Sequence, residues 1–262
     1  MCDGSSTIRA DSNEPQTRKD INIVSQTDGE IFFILDNATY ELAALFRKIL
    51  MIEIPIMAIY SVDVHKNTTM YETFNIIRKL RFIPLQIDPD RYKFSDECEC
   101  TEMLRKDKEK IFGGCNECSC FFSLFVCGKN FTDSSLREIT SKNIYSKDVD
   151  NVFENIPEIP IVRIKKGEEL YLSCRAFKGR GKDNAMWSPV TVVTFSCLNE
   201  DLINDIPSYK EDKKFIFYFE SVGQLSPLSI LDKANDLYQR KKIKLSEKKH
   251  DIRHRYLPDE DF

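Results

Sequence analysis

Four cysteines near the middle of the chain have the types and spacing of a metal site. Cys98 and Cys100 form a C-x-C pair, and after a gap of 14 residues Cys115 and Cys118 form a C-x-x-C pair. Each pair supplies two thiolates from one turn of backbone, and the loop between them only has to bring the pairs together. The spacing predicts one zinc ion held by four thiolates. A closed site of this kind stabilises the fold and has no open position for a reaction.

The other cysteines are predicted to have structural positions. Cys120 is near enough in sequence to compete as a ligand, but it begins an apolar strand, where a buried thiol is common. We predict core positions for Cys120, Cys127, Cys174 and Cys197, and a tail position for Cys2. The first ten residues lack the apolar run of a signal peptide, so we expect a reducing compartment in which clustered cysteines bind metal.

Length and charge exclude several classes of protein. The chain has 262 residues, 42% of them hydrophobic, and a net charge of -4. This suffices for one large or two modest globular domains and carries no overall signature of nucleic-acid binding. No apolar run approaches the roughly 18 residues that a membrane span needs. Residues 240–255 are densely charged, but acidic residues dilute the basic ones, which predicts a solvated helix end.

A catalytic constellation is not apparent. The chain has three histidines, His65, His250 and His254, and it contains neither G-x-S-x-G nor H-E-x-x-H. The basic segment K-G-R-G-K at 178–182 lacks the Ser or Thr and the following helix of a phosphate loop. Its glycines are predicted to permit a tight turn and a close backbone approach to a partner subunit. Trp187, the only tryptophan, is predicted to anchor the core.

The elements that must position these residues follow from apolar periodicity. Spacings of three and four predict a helix over 40–52, which Asn37 caps and Pro55 ends. A second helix is predicted to begin near Pro227. Strands are predicted at 30–36, 57–64, 120–127, 190–195 and 215–220, with a strand, a turn and a strand from Ile161 onward. Because strands and helices do not alternate regularly, the predicted class is α+β.

Several motifs in this order resemble the α-like subunits of cellular RNA polymerases, most closely those of eukaryotic RNA polymerase II. They are R-K-I-L-M-I-E-I-P-I-M-A-I at 47–59, N-T-T at 67–69, I-P-L at 83–85, the cysteine cluster, I-Y-S-K-D at 144–148, K-G-R-G-K-D-N-A-M-W-S-P at 178–189 and F-Y-F-E-S-V-G at 217–223. One segment departs from the pattern, because residues 73–82 read T-F-N-I-I-R-K-L-R-F where the family has D-E-F-x-x-H-R-L-G-L. The loop between the cysteine pairs is also longer than the family pattern.

The resemblance implies a divided architecture. A discontinuous dimerisation domain is expected from residues 20–56 and 188–245, interrupted by an inserted, zinc-bearing and mostly β domain at 57–187. Residues 1–19 are expected to form a flexible N-terminal tail, and residues 246–262 a charged C-terminal tail. The amphipathic helices of the dimerisation domain have apolar faces that suit a dimer interface.

The resemblance also implies a function. We expect a non-catalytic assembly subunit in the nucleus, which pairs with a small α-like polymerase subunit. The pair would form the platform for the largest and second-largest subunits and for small zinc-binding subunits, without specific contact to nucleic acid. An alternative within the family is the α-like subunit shared by RNA polymerases I and III, in which we expect an incomplete cysteine cluster and Phe in place of Trp187.

Two alternatives lie outside the family. A zinc-containing DNA-binding regulator would need a basic recognition element near the cysteines, whereas acidic residues flank this cluster on both sides. A thiol hydrolase would need a histidine partner that no motif of the chain provides.

Overall fold

A computed structural model describes residues 20–100, 114–131, 136–198 and 213–256 of the chain. The predicted N-terminal tail, most of the loop between the cysteine pairs and the last six residues lie outside these ranges. The described helices are α1 (Tyr40–Ile52), α2 (Thr73–Arg81) and α3 (Pro227–Tyr256). The described strands are β1 (Ile21–Gln26), β2 (Glu30–Ala38), β3 (Pro55–Asn67), β4 (Ser119–Cys127), β5 (Arg137–Thr140), β6 (Tyr145–Ser146), β7 (Pro160–Ile164), β8 (Glu169–Arg180), β9 (Val190–Cys197) and β10 (Lys213–Ser221).

One antiparallel sheet joins two distant parts of the chain. Its strand order is β1-β2-β10-β9, so that the first two strands pair with the last two. Side chains alternate between the faces of a strand, and one face of β2 and β10 is apolar and fully buried. Phe33 of β2 stacks on Phe217 of β10 with ring centroids 5.0 Å apart. The predicted strands at 30–36, 190–195 and 215–220 are confirmed.

Two helices cover the buried face of this sheet. The rings of Phe46 in α1 and Tyr238 in α3 lie 5.1 Å apart, above the Phe33 and Phe217 stack. Both predicted helices are confirmed, and α3 extends to Tyr256, into the predicted charged tail. None of the described helices is long and apolar enough to cross a membrane.

The predicted N-cap of α1 is wrong. Thr39 caps the helix, and its hydroxyl accepts a hydrogen bond from the backbone N–H of Leu42 at 3.4 Å. Asn37 lies two residues earlier with a φ of 54°, a conformation that asparagine tolerates better than most residues. Asn37 still belongs to β2, and Thr39, the residue directly before the helix, has the extended backbone of an N-cap.

A second antiparallel sheet has the strand order β3-β8-β4-β6, and β5 pairs with β7 beside it. The predicted strands at 57–64 and 120–127 are confirmed, and so is the strand, turn and strand unit from Ile161, with a φ of 84° at Gly167. The two strands of that unit belong to different sheets. The predicted basic loop at 178–182 is partly wrong, because β8 continues to Arg180 and its long pairing with β3 holds these residues extended.

The segment 178–189 joins the two sheets. Trp187 is 9% exposed, donates a hydrogen bond from Nε1 to the Phe177 carbonyl at 3.0 Å, and stacks on Tyr60 with centroids 5.5 Å apart. The prediction of a core anchor is confirmed. A Cβ at Gly179 would lie 2.2 Å from a Trp187 ring carbon, and one at Gly181 would lie 2.5 Å from the Met51 carbonyl oxygen. The close approach that these glycines permit is thus to the chain itself, where a partner subunit was expected.

Candidate metal centre

The fold brings the four cysteines of the two pairs together. Their Sγ atoms all lie within 4.8 Å of one another. Cys98 and Cys115 are 3.5 Å apart, Cys100 and Cys118 are 3.5 Å apart, and Cys115 and Cys118 are 3.8 Å apart. Four sulfurs around a tetrahedral ion with bonds of about 2.3 Å lie about 3.8 Å from one another. The cluster therefore has the donor chemistry and the dimensions to bind a metal ion.

Local hydrogen bonds shape the C-x-x-C pair. The backbone N–H groups of Cys118 and Ser119 both donate to the Cys115 carbonyl, at 3.2 and 2.9 Å. This makes a single turn that directs both thiols to the same side, immediately before β4 begins. The segment that leads to the first pair is tied to this turn, because the Lys93 N–H donates to the Glu117 carbonyl at 2.9 Å and the two side chains form an ion pair.

Arg175 of β8 supports the same turn from behind. Its Nη1 donates to the Gly114 carbonyl at 3.0 Å and to the Ser119 hydroxyl at 3.1 Å. The Ser119 hydroxyl in turn donates to the Cys115 carbonyl at 3.0 Å. No motif in the sequence identifies Arg175, because only its register opposite Phe121 in the sheet brings it to the cluster.

The thiols of the cluster differ in their tendency to ionise. Burial opposes ionisation of Cys115, but hydrogen bonds from the Glu117 N–H and from the neighbouring thiols outweigh it and lower the pKa of Cys115 to about 7. Burial raises the pKa of Cys118. The Cys115 thiol can therefore lose its proton near neutral pH, and a bound cation would favour ionisation of the other three thiols.

Two of the four cysteines that were predicted to lie in the core are buried, and the other two are only half-buried. Cys120 and Cys174 are buried, as predicted, in the hydrophobic core that packs against the second sheet, which we call the second core. Burial raises the pKa of Cys174 to about 12. The sulfur of Cys120 lies 3.7 Å from the Ser146 hydroxyl and outside the cluster of four. Cys127 and Cys197 are only half-buried, at the ends of β4 and β9. Cys2 lies outside the described residues.

The remaining candidates do not join this cluster. His65 lies against the Tyr171 ring, with centroids 4.5 Å apart, and makes a hydrogen bond to the Ser173 hydroxyl. His250 and His254 belong to the part of α3 whose side chains are not described. The segment 178–182 continues β8 to Arg180 and then enters the segment that joins the two sheets.

The described residues therefore form an α+β protein. It has two four-stranded antiparallel sheets, one two-stranded sheet, two main hydrophobic cores and a four-thiol cluster beside the second four-stranded sheet. The sequence model of the RNA polymerase Rpb3/Rpb11 dimerisation domain matches residues 33–241. The chain belongs to this family.

Proteins from archaea and eukaryotes are similar to this chain. The chain is 30% identical over 186 residues to DNA-directed RNA polymerase subunit Rpo3 of Archaeoglobus fulgidus, with 71% of this chain and 64% of that protein covered. It is 27% identical over 223 residues to DNA-directed RNA polymerase II subunit rpb3 of Dictyostelium discoideum, with 80% and 68% covered. It is 30% identical over 204 residues to subunit 3 of DNA-directed RNA polymerases II, IV and V of Arabidopsis thaliana, with 71% and 60% covered. The chain thus spans less than two thirds of the archaeal and the plant relative.

Proposed function

We propose that the chain is a non-catalytic α-like assembly subunit of a DNA-directed RNA polymerase, corresponding to the third-largest subunit of RNA polymerase II. The match of the dimerisation-domain family over residues 33–241 carries this proposal. It begins in β2 and ends in α3, and so includes strands and helices from both halves of the first sheet. The names of the eukaryotic relatives favour polymerase II over the alternative subunit shared by polymerases I and III.

The proposed dimerisation domain comprises residues 20–56 and 188–245, with residues 57–187 as the insert. The separation of the two main cores supports these boundaries. One core draws its buried residues from 21–54 and 190–238, and the other draws them from 57–176. A small third cluster of Ile56, Ala58, Met186 and Trp187 has members from both sides of the proposed boundary at 56/57. The insert would thus fold around its own core and leave the dimerisation sheet intact.

The proposed partner is a small α-like polymerase subunit. Leu42 and Leu45 of α1 and Leu237 of α3 are only partly buried in the chain alone, which leaves apolar surface on the helices. The heterodimer would form the platform for the largest and second-largest subunits and for small zinc-binding subunits. As a subunit of a eukaryotic polymerase, the chain would act in the nucleus. Its net charge of -4 supports the expectation that it makes no specific contact to nucleic acid.

Cys98, Cys100, Cys115 and Cys118 would hold one structural zinc ion. Three of the sulfur separations are 3.5 to 3.8 Å and all lie within 4.8 Å, which supports this assignment. Four thiolates are a ligand set that zinc prefers. Metal binding of this kind contributes about 10 kcal/mol or more to local folding. The zinc ion would hold the C-x-C pair against the turn before β4.

Purification of the tagged chain from its own cells, followed by mass spectrometry, tests the assembly role. We expect the two large subunits, a small α-like partner and subunits specific to RNA polymerase II. Recovery of subunits specific to polymerases I and III would select the alternative. A monomer without polymerase subunits would refute both assignments.

Metal analysis of the purified chain tests the ligand set. The wild-type chain should contain one zinc ion, and Cys115→Ser should lose it. Cys197→Ser is the matched control, since this half-buried thiol lies in β9, far along the chain from the cluster. Equal zinc content in the two variants would remove Cys115 from the ligand set.

A further inference from the structure

Helix α2 exposes an unusual face. Its buried side chains are Ile76 and Leu80, which belong to the second core. Phe74, Arg78 and Arg81 occupy positions i, i+4 and i+7, and therefore form a stripe on the opposite side of the helix. Phe82 follows directly at its C-terminal end. Phe74 is 69% exposed and Phe82 is 56% exposed. A solvated helix face usually carries polar side chains at such positions.

Neighbouring residues extend this stripe into a surface. Met70, just before the helix, is 66% exposed, and Tyr60 of β3 is 51% exposed. The Arg81 guanidinium lies 5.9 Å from the centre of the Tyr60 ring, which joins the strand to the helix. We call these six side chains the α2 surface: Tyr60, Met70, Phe74, Arg78, Arg81 and Phe82.

The composition of the α2 surface is that of a protein interface. Single exposed apolar residues are common on soluble proteins, but aromatic residues, methionine and arginine are enriched together in interfaces. Tyrosine and arginine are also enriched among the residues that contribute most to binding energy. Every member of the α2 surface is of one of these types.

The charge of the α2 surface indicates the chemistry of its partner. Among the described residues, neither Arg78 nor Arg81 forms an ion pair with a carboxylate. Lys79, on the same helix, instead donates to the Ile161 carbonyl at 2.9 Å. We propose that the α2 surface docks a segment of a partner protein in which carboxylates alternate with apolar side chains. The carboxylates would pair with the two arginines, and the apolar side chains would cover Phe74 and Phe82.

Single-stranded nucleic acid also binds arginine and aromatic rings, but the observations favour a protein. A nucleic-acid groove tracks several phosphates with a run of cations, whereas the α2 surface offers two. The net charge of the chain is -4, which opposes association with a polyanion. The inference goes beyond the proposed assembly role, because the α2 surface lies on the second sheet and is separate from the helices of the dimerisation sheet.

Photocrosslinking within the native complex tests the proposal. p-Benzoylphenylalanine replaces Phe74 in the tagged chain, the complex purified from cells is illuminated, and the crosslinked peptide is sequenced. We expect a peptide with aspartate or glutamate next to apolar residues. Arg78→Glu should lower the crosslinking yield by about tenfold, because it places like charges opposite each other. Lys166→Glu, the same charge change at an exposed turn residue, should retain the yield.

A compensating change completes the test. Replacing the crosslinked segment's acidic residue by lysine should restore the yield with Arg78→Glu. Crosslinks to nucleic acid, to a second copy of the chain or to a segment without carboxylates would overturn the proposal, and so would the absence of any crosslink. Thermal unfolding checks that Arg78→Glu folds, with Arg78→Gln as the milder substitute. Polymerase subunits scored in the same preparation separate failure of this proposal from failure of the assembly role.

Discussion

Gly179→Ala should disrupt the junction between the two cores. The new Cβ would lie 2.2 and 2.3 Å from two ring carbons of Trp187, whereas carbon atoms pack best at about 3.5 to 4.0 Å. The ring therefore has to move by more than about 1 Å. It cannot do so freely, because Nε1 donates to the Phe177 carbonyl and the ring stacks on Tyr60.

The expected cost combines three contributions. Overpacking of a well-filled core costs about 1 to 3 kcal/mol. A lost hydrogen bond costs about 1 kcal/mol, and a lost aromatic contact costs about 1 kcal/mol more. We expect Gly179→Ala to lower the free energy of unfolding by about 4 kcal/mol. With a urea dependence of about 3 kcal/mol per molar, the unfolding midpoint should fall by about 1 M.

Urea unfolding followed by tryptophan fluorescence measures this effect, because Trp187 is the only tryptophan and reports on the junction itself. Gly29→Ala is the matched control, since a Cβ there would meet nothing within 4 Å. Trp187→Leu, followed by circular dichroism, should reduce the cost of Gly179→Ala to below about 1 kcal/mol. Equal midpoints for Gly179→Ala and Gly29→Ala would refute the steric argument.

Three further substitutions test other parts of the fold. Glu169→Gln should destabilise the chain at neutral pH, because hydrogen bonds from two lysines lower the pKa of Glu169 to about 2. This stability is present above the unfolded pKa of about 4.3 and is lost as the pH falls toward 2, so the difference from wild type should vanish there in a pH series of unfolding curves. Arg175→Met should weaken metal retention by about tenfold in a chelator competition, since the turn before β4 loses its support; unchanged retention would contradict this. Asn67→Ala should cost about 2 kcal/mol of stability by thermal unfolding, because its side chain makes four hydrogen bonds in the turn before α2, whereas exposed Asn75→Ala should cost little.

Local patterns predicted most of the elements correctly. The apolar spacing in α1 and the β-branched and aromatic runs in β9 and β10 are properties of neighbouring residues, so the sequence displays them directly. The N-cap was misplaced because Asn37 and Thr39 are both capable caps, and only the backbone geometry distinguishes them. The predicted length of the basic loop was too great. Glycines at 179 and 181 indicate a turn locally, whereas pairing with β3 keeps Gly179 in an extended strand.

Of the candidate metal centre, only the four cysteines were predictable from the sequence. The short spacings of Cys98 with Cys100 and of Cys115 with Cys118 identify the cluster, because ligands from one turn of backbone are close in sequence. Arg175 was not predictable, since it lies 61 residues from Gly114 and reaches the cluster through the register of β8 and β4.

The sequence by itself determined the element types, the thiol cluster and the resemblance to a polymerase family, because each depends on nearby residues or on motif order. Only the tertiary structure decided which strands share a sheet and which residues support the cysteines. It also decided that Gly179 and Gly181 pack against residues of the chain itself. The structure further shows that Phe74 and Arg78 share an exposed face of α2. From the sequence, their segment was recognisable only as a departure from the family pattern. These features depend on contacts between residues far apart in the chain, which strand register and core packing create and no local pattern encodes.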